Sequence, residues 1–98
     1  AKENKHVLVY IWSRYCTFCA RMDREVFPNE TIKQTIFKYY VPVVVDIDSG
    51  RALASKYGAI TGTPTFFFTH ANGTVLGRAV GYRSPTSFKS MLLFYASS

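Results

Sequence analysis

Cys16 and Cys19 are the only thiols in the chain, and only Thr17 and Phe18 separate them. A thiolate that attacks a disulfide stays joined to its target until a second thiol displaces that target, so a close cysteine pair is the minimum for turnover. The pair sits where a β-branched and aromatic run over residues 7–12 gives way to a helical pattern carrying Cys19, Met22 and Val26. At a helix N-terminus, unpaired N–H groups and the positive end of the macrodipole favour thiolate over thiol. Cys16 is therefore expected to be the nucleophile, and Cys19, one turn in on the apolar face, the resolving thiol. Arg14, Arg21 and Arg24 lie close in sequence and can add to the effect, although long arginines more often point into solvent. Two other readings stay open, an inert structural bridge and half of a zinc site. Zinc needs about four ligands, and His6 and His70 are remote in sequence from the cysteines, so no metal is expected.

The elements that must hold this pair follow from pattern. Residues 7–12 read as a central strand covered on both faces. The helix begun at Cys16 ends or kinks at Phe27-Pro28, and Asn29 is a plausible N-cap for a second helix with Ile32, Ile36 and Tyr40 on one face. Residues 41–47 form a second strand with Pro42 near its start. Residues 48–57 suit a short helix closed by Gly58. Strands over 65–69 and 74–76 flank His70-Ala-Asn-Gly73, a strong hairpin signal. Ser84-Pro85 opens a last helix burying Phe88, Met91, Leu92 and Tyr95. The order predicts an α/β fold, one central mixed sheet of about four strands with helices on both faces.

Residues 1–98 are expected to form a single domain, because the chain leaves no room for a second one. With 48% hydrophobic and 18% charged residues, it is globular and not disordered. Its longest apolar run is far short of the roughly 20 residues that span a bilayer, so no stable membrane insertion is expected. The start at Ala1, with neither an initiator Met nor a signal peptide, suggests a mature or trimmed product. Net charge is +6, and all six acids (Glu3, Asp23, Glu25, Glu30, Asp46 and Asp48) precede residue 49. Arg51, Lys56, Arg78, Arg83 and Lys89 are scattered and form no phosphate-binding stripe, which argues against nucleic acid and for a solvated basic surface.

Three motifs resemble the thioredoxin family. Trp12-Ser-Arg-Tyr-Cys-Thr-Phe-Cys19 is similar to the active-site motif, Gly62-Thr-Pro-Thr65 to the cis-proline loop, and Val80-Gly81-Tyr82 to the glycine before the last helix. The run from Cys19 to Phe27, with Ile32 and the strand ending at Ile47, most resembles one branch. That branch holds the C-terminal domain of the membrane thiol:disulfide interchange reductase and small thioredoxin-related proteins of bacterial envelopes. The resemblance implies a thioredoxin fold, a CxxC at a helix N-terminus, a cis bond before Pro64, and a bacterial periplasmic or other extracytoplasmic location. A cis bond there turns Thr63 toward the cysteines, where its backbone can pair with an extended substrate segment. Tyr15, Trp12 and Phe18 would rim Cys16. Ordinary core packing is the other reading of those aromatics, Trp12 above all.

Two departures from thioredoxin bear on the mechanism. Where thioredoxin has a buried aspartate six residues before the first cysteine, this chain has Tyr10, and Val44 replaces the accompanying lysine. Asp23, four residues after Cys19 and seven after Cys16, shares their helical face and is a candidate base for the resolving thiol. A solvated surface aspartate is the other reading. The function expected is cofactor-free dithiol–disulfide exchange, in the reducing direction, with disulfide-containing or dithiol protein substrates and a redox partner protein, by a monomer. An oxidase or isomerase of the same family remains open, because potentials of CxxC proteins span about −270 to −120 mV. From another class, a thioredoxin-fold copper or other soft-metal carrier would use both thiolates but want a third ligand. A pure interaction domain has no reason to keep an exposed thiol.

Overall fold

The computed structural model describes residues 5–98. Glu3, counted among the acids, lies outside them. The chain order is β1 (His6–Trp12), α1 (Thr17–Glu25), α2 (Glu30–Tyr39), β2 (Tyr40–Asp46), α3 (Arg51–Ser55), β3 (Thr65–Thr69), β4 (Val75–Val80) and α4 (Pro85–Ala96). These make the four-stranded mixed sheet the sequence predicts, in the order β2-β1-β3-β4. β1 runs parallel to β2 through the crossover of α1 and α2, antiparallel to β3, and β3 is antiparallel to β4.

β1 is covered on both faces, as its continuous apolar run requires. Leu8 and Tyr10 join Met22, Ile36, Phe66 and Phe88 on one side. Val9 and Ile11 join Val45, Ala54 and Phe67 on the other. The strand's period of two divides one run between two cores. β1 is thus held rigidly, and its C-terminal end delivers the chain to Cys16 in a fixed place.

The caps act where the sequence places them. Asn29 accepts hydrogen bonds from the N–H groups of Thr31 at 2.9 Å and Ile32 at 3.2 Å, starting α2 just past Pro28. Ser84 caps α4 through the Ser87 N–H at 3.3 Å, with Pro85 in the first turn. Pro42 lies in β2, an edge strand paired only with β1, where a missing N–H is tolerated.

Several boundaries differ from expectation. Tyr40 is not on the buried face of α2; it is the first residue of β2, opposite His6, and its hydroxyl donates to the Leu92 carbonyl at 2.6 Å. Ile47 falls just past the strand, though its N–H still donates to the Trp12 carbonyl at 2.8 Å. The helix expected over 48–57 shrinks to α3, because Asp46 first holds a turn. Its carboxylate accepts the Asp48 N–H at 2.9 Å and its carbonyl the Gly50 N–H at 2.7 Å. β4 extends to Val80, through Gly77. There the Tyr95 ring, stacked 4.6 Å from Phe68, fills the space a Cβ would occupy.

Candidate active site

After Trp12 the chain leaves the sheet in a short turn, closed by the Cys16 N–H donating to the Ser13 carbonyl at 3.1 Å. Cys16 is the N-cap of α1, with extended backbone (φ −90°, ψ 109°). Its sulfur accepts the Cys19 N–H at 3.1 Å, taking the place of a serine or aspartate cap oxygen. Both cysteines are free thiols; Cys16 is partly exposed, whereas Cys19 is 1% exposed.

Their surroundings drive the two thiols apart. Burial pushes Cys16 upward. Hydrogen bonds from the Cys19 and Thr63 side chains and from the backbone of Cys19 and Phe18 outweigh it, leaving the Cys16 pKa below its ordinary value. For Cys19, burial and then the hydrogen bond and charge of Cys16 dominate over a backbone hydrogen bond from Ser13, and its pKa is pushed up to about 11. Cys16 is thus drawn toward the thiolate, and its neighbour is held as a thiol.

Thr63 stands beside both sulfurs. The Thr63–Pro64 peptide is cis, Pro64 is buried, and its carbonyl accepts the Gly81 N–H at 2.8 Å, joining this loop to the one before α4. Beside Cys16 in the chain, Tyr15 is 84% and Phe18 53% exposed. Trp12 instead packs against the core. Arg21 lies over the Tyr82 ring and pairs with Glu25, as does Arg24, so neither is turned to the thiolate. Tyr82 also donates to Glu25 at 2.8 Å.

Asp23 lies on the exposed side of α1, where its Oδ1 accepts the Tyr10 hydroxyl at 3.2 Å. The same hydroxyl is 3.4 Å from the Cys19 carbonyl oxygen. The spacing of Cys16, Cys19 and Asp23 does not point to this hydroxyl. A signal was present, because Tyr10 falls in a buried alternation with Leu8, and a buried tyrosine usually finds a partner for its O–H. Asp23 and Tyr10 open into a cavity of about 460 Å³ between the sheet and α2, lined also by Trp12, Phe27, Phe37 and Val44. His6 and His70, 5.3 Å apart, meet at the far end of β1 from the cysteines. Among the described residues no three His, Cys, Asp or Glu side chains gather as a metal site would need.

The model of the thioredoxin-like domain family matches residues 1–96. This chain belongs to that family. No protein of curated function matches the sequence. Among solved structures, it is similar to a thioredoxin from Thermus thermophilus, with 28% identity over 92% of this chain and 72% of that one, at a TM-score of 0.78. A thioredoxin-fold protein from Helicobacter pylori superposes with a TM-score of 0.87 at 20% identity, over 98% of this chain and 71% of the other. The reduced C-terminal domain of DsbD from Neisseria meningitidis does so at 0.78 and 19% identity, over 96% and 85%. Family, fold and the adjacent cysteines together support a thiol–disulfide oxidoreductase.

Proposed function

We propose that this thioredoxin-like domain reduces disulfides in protein substrates outside the cytoplasm, without a cofactor. The observation that carries the reading is the split between the cysteines, with Cys16 drawn toward thiolate at the cap of α1 and Cys19 pushed up to about 11 behind it. The Cys16 thiolate attacks one sulfur of the substrate disulfide, and the other sulfur leaves as a thiolate that takes a proton from water. Cys19 then loses its proton and its sulfur attacks Cys16, forming the Cys16–Cys19 bond and releasing the second substrate thiol. Two electrons pass from the dithiol to the substrate, and a redox partner must return them.

Tyr15 and Phe18 serve as the apolar docking rim, and Thr63-Pro64 as the edge against which an extended substrate segment pairs. Asp23 is the acceptor for the Cys19 proton, since a buried thiol ionises reluctantly and Asp23 is joined to the Cys19 turn through Tyr10. Similarity to the DsbD domain supports extracytoplasmic work, and among the described residues no helix is long and apolar enough to cross a membrane.

Equilibration of the pure protein with glutathione buffers tests the direction. A reductase sits near thioredoxin's potential of about −270 mV, whereas a value near −120 mV would make the domain an oxidant. Anaerobic titration of the dithiol with copper(I) provides the second arm. Tight stoichiometric binding together with absent disulfide turnover would overturn the reading in favour of a metal carrier.

A further inference from the structure

β1 turns Leu8, Tyr10 and Trp12 to the face that α1 and α2 cover, and Tyr10 is the member of that row with a hydroxyl, a group that can both donate and accept. Its ring is clamped, stacked on Phe66 with centroids 5.1 Å apart and planes at 13°, and held on another side by Phe27 at 5.0 Å. A ring so held fixes its hydroxyl in space. That hydroxyl lies between the Asp23 carboxylate at 3.2 Å and the Cys19 carbonyl at 3.4 Å, both on α1.

We propose that Tyr10 is a positioning residue of the resolving step, its hydroxyl holding Asp23 against the turn that carries Cys19 and satisfying that acid in both protonation states. The proposal rests on the reading of Asp23 as the acceptor of the Cys19 proton. A phenol has one hydrogen to donate and lone pairs to accept with. While Asp23 is ionised, the phenolic hydrogen points at Oδ1. Once Asp23 has taken the proton of Cys19, the new acid can donate to the phenol oxygen, and the phenolic hydrogen turns to the Cys19 carbonyl. A carboxylate has no hydrogen to donate to an ionised Asp23. Tyr10 is not itself the base, because burial, then the charges of Asp23 and Cys19, hold its own pKa far above the tyrosine range.

Few other groups titrate around this pair. α1 contributes Cys19, and α2 contributes Lys33 across the cavity. β2 presents only Pro42 and Val44 there, and β3 only Phe66. The cavity gives solvent access to the carboxylate, so a proton received from Cys19 has somewhere to go.

The test uses the full chain with an aromatic disulfide whose released thiolate is coloured. Stopped-flow absorbance then resolves the attack of Cys16, which frees one equivalent, from the attack of Cys19, which frees the second. Tyr10→Phe keeps the ring and removes the hydroxyl. The second phase should slow roughly tenfold, the weight of one hydrogen bond to a charged group, with the first phase within about twofold. Its half-maximal pH should move up. Tyr10→Phe combined with Asp23→Asn should be no slower than the slower single variant, because both break one unit. An unchanged second phase in Tyr10→Phe, or effects that multiply in the double variant, overturns the proposal while leaving Asp23 as base if Asp23→Asn alone is slow. An unchanged second phase in Asp23→Asn removes the base itself, and the proposal with it. Should Tyr10→Phe fold poorly, 3-fluorotyrosine incorporated at position 10 keeps the shape with a stronger donor. The half-maximal pH must then move down, and no movement overturns the proposal.

Discussion

Selective alkylation of the reduced protein puts a number on the asymmetry of the two thiols. Only thiolates alkylate at a useful rate. Cys19, with its pKa pushed up to about 11, is ionised at pH 8 to roughly one part in a thousand. Cys16, lowered from 9.0, is ionised to more than about one part in ten. Iodoacetamide should therefore label Cys16 at least about 100-fold faster than Cys19 at pH 8. Burial of Cys19 widens the gap. Quenched time points with peptide mapping by mass spectrometry read both rates in one experiment. In Cys16→Ser the charge of Cys16 on Cys19 is removed, and a neutral hydroxyl stands in place of the Cys16 sulfur whose hydrogen bond favours the Cys19 thiol. The labelling of Cys19 should then speed up, although burial still holds it below a free cysteine. Rates within about tenfold of each other, or Cys19 labelled first, would refute the assignment of attacking and resolving roles.

Three further outcomes follow from contacts in the fold and site. Tyr40→Phe removes the 2.6 Å bond to the Leu92 carbonyl and should cost about 1 kcal/mol, lowering Tm by about 4–8 °C in thermal unfolding, while turnover is kept. Gly77→Ala drives a methyl into the Tyr95 ring and should cost about 1–3 kcal/mol in urea unfolding, with no loss if that ring can leave Phe68 freely. Asn29→Ala strips the cap of α2 and should cost about 1 kcal/mol by the same assay, with little effect on Cys16 alkylation.

Local chemistry explains which features could be read from the sequence. The CxxC at a strand-to-helix junction, the caps at Asn29 and Ser84, and the turn at Gly73 (φ +93°) are signals carried within a few residues, and the structure has them in place. The sequence does not mark Tyr40 as the start of β2, because nothing between Ile32 and Tyr40 breaks the helical pattern; the pairing of Tyr40 with His6 across the sheet decides it. The turn at Asp46 shortened α3 through an aspartate whose role as a local acceptor competes with helix. Gly77 reads as the end of a strand, whereas the helix at the far end of the chain uses its missing side chain. At the site, the one-turn offset from Cys19 to Asp23 was visible as spacing, although Cys19 is buried and Asp23 exposed. The link from Tyr10 to both was not, because it joins a strand to a helix and depends on where the ring is clamped.

Covalent trapping tests the central claim most directly. Cys19→Ser, mixed with a disulfide-bonded peptide and quenched with acid, should accumulate a one-to-one adduct that peptide mapping places on Cys16. Cys16→Ser under the same conditions should give almost none. Equal adducts on the two variants, or an adduct on Cys19 that forms as fast as that on Cys16, would contradict the division of labour between the two thiols.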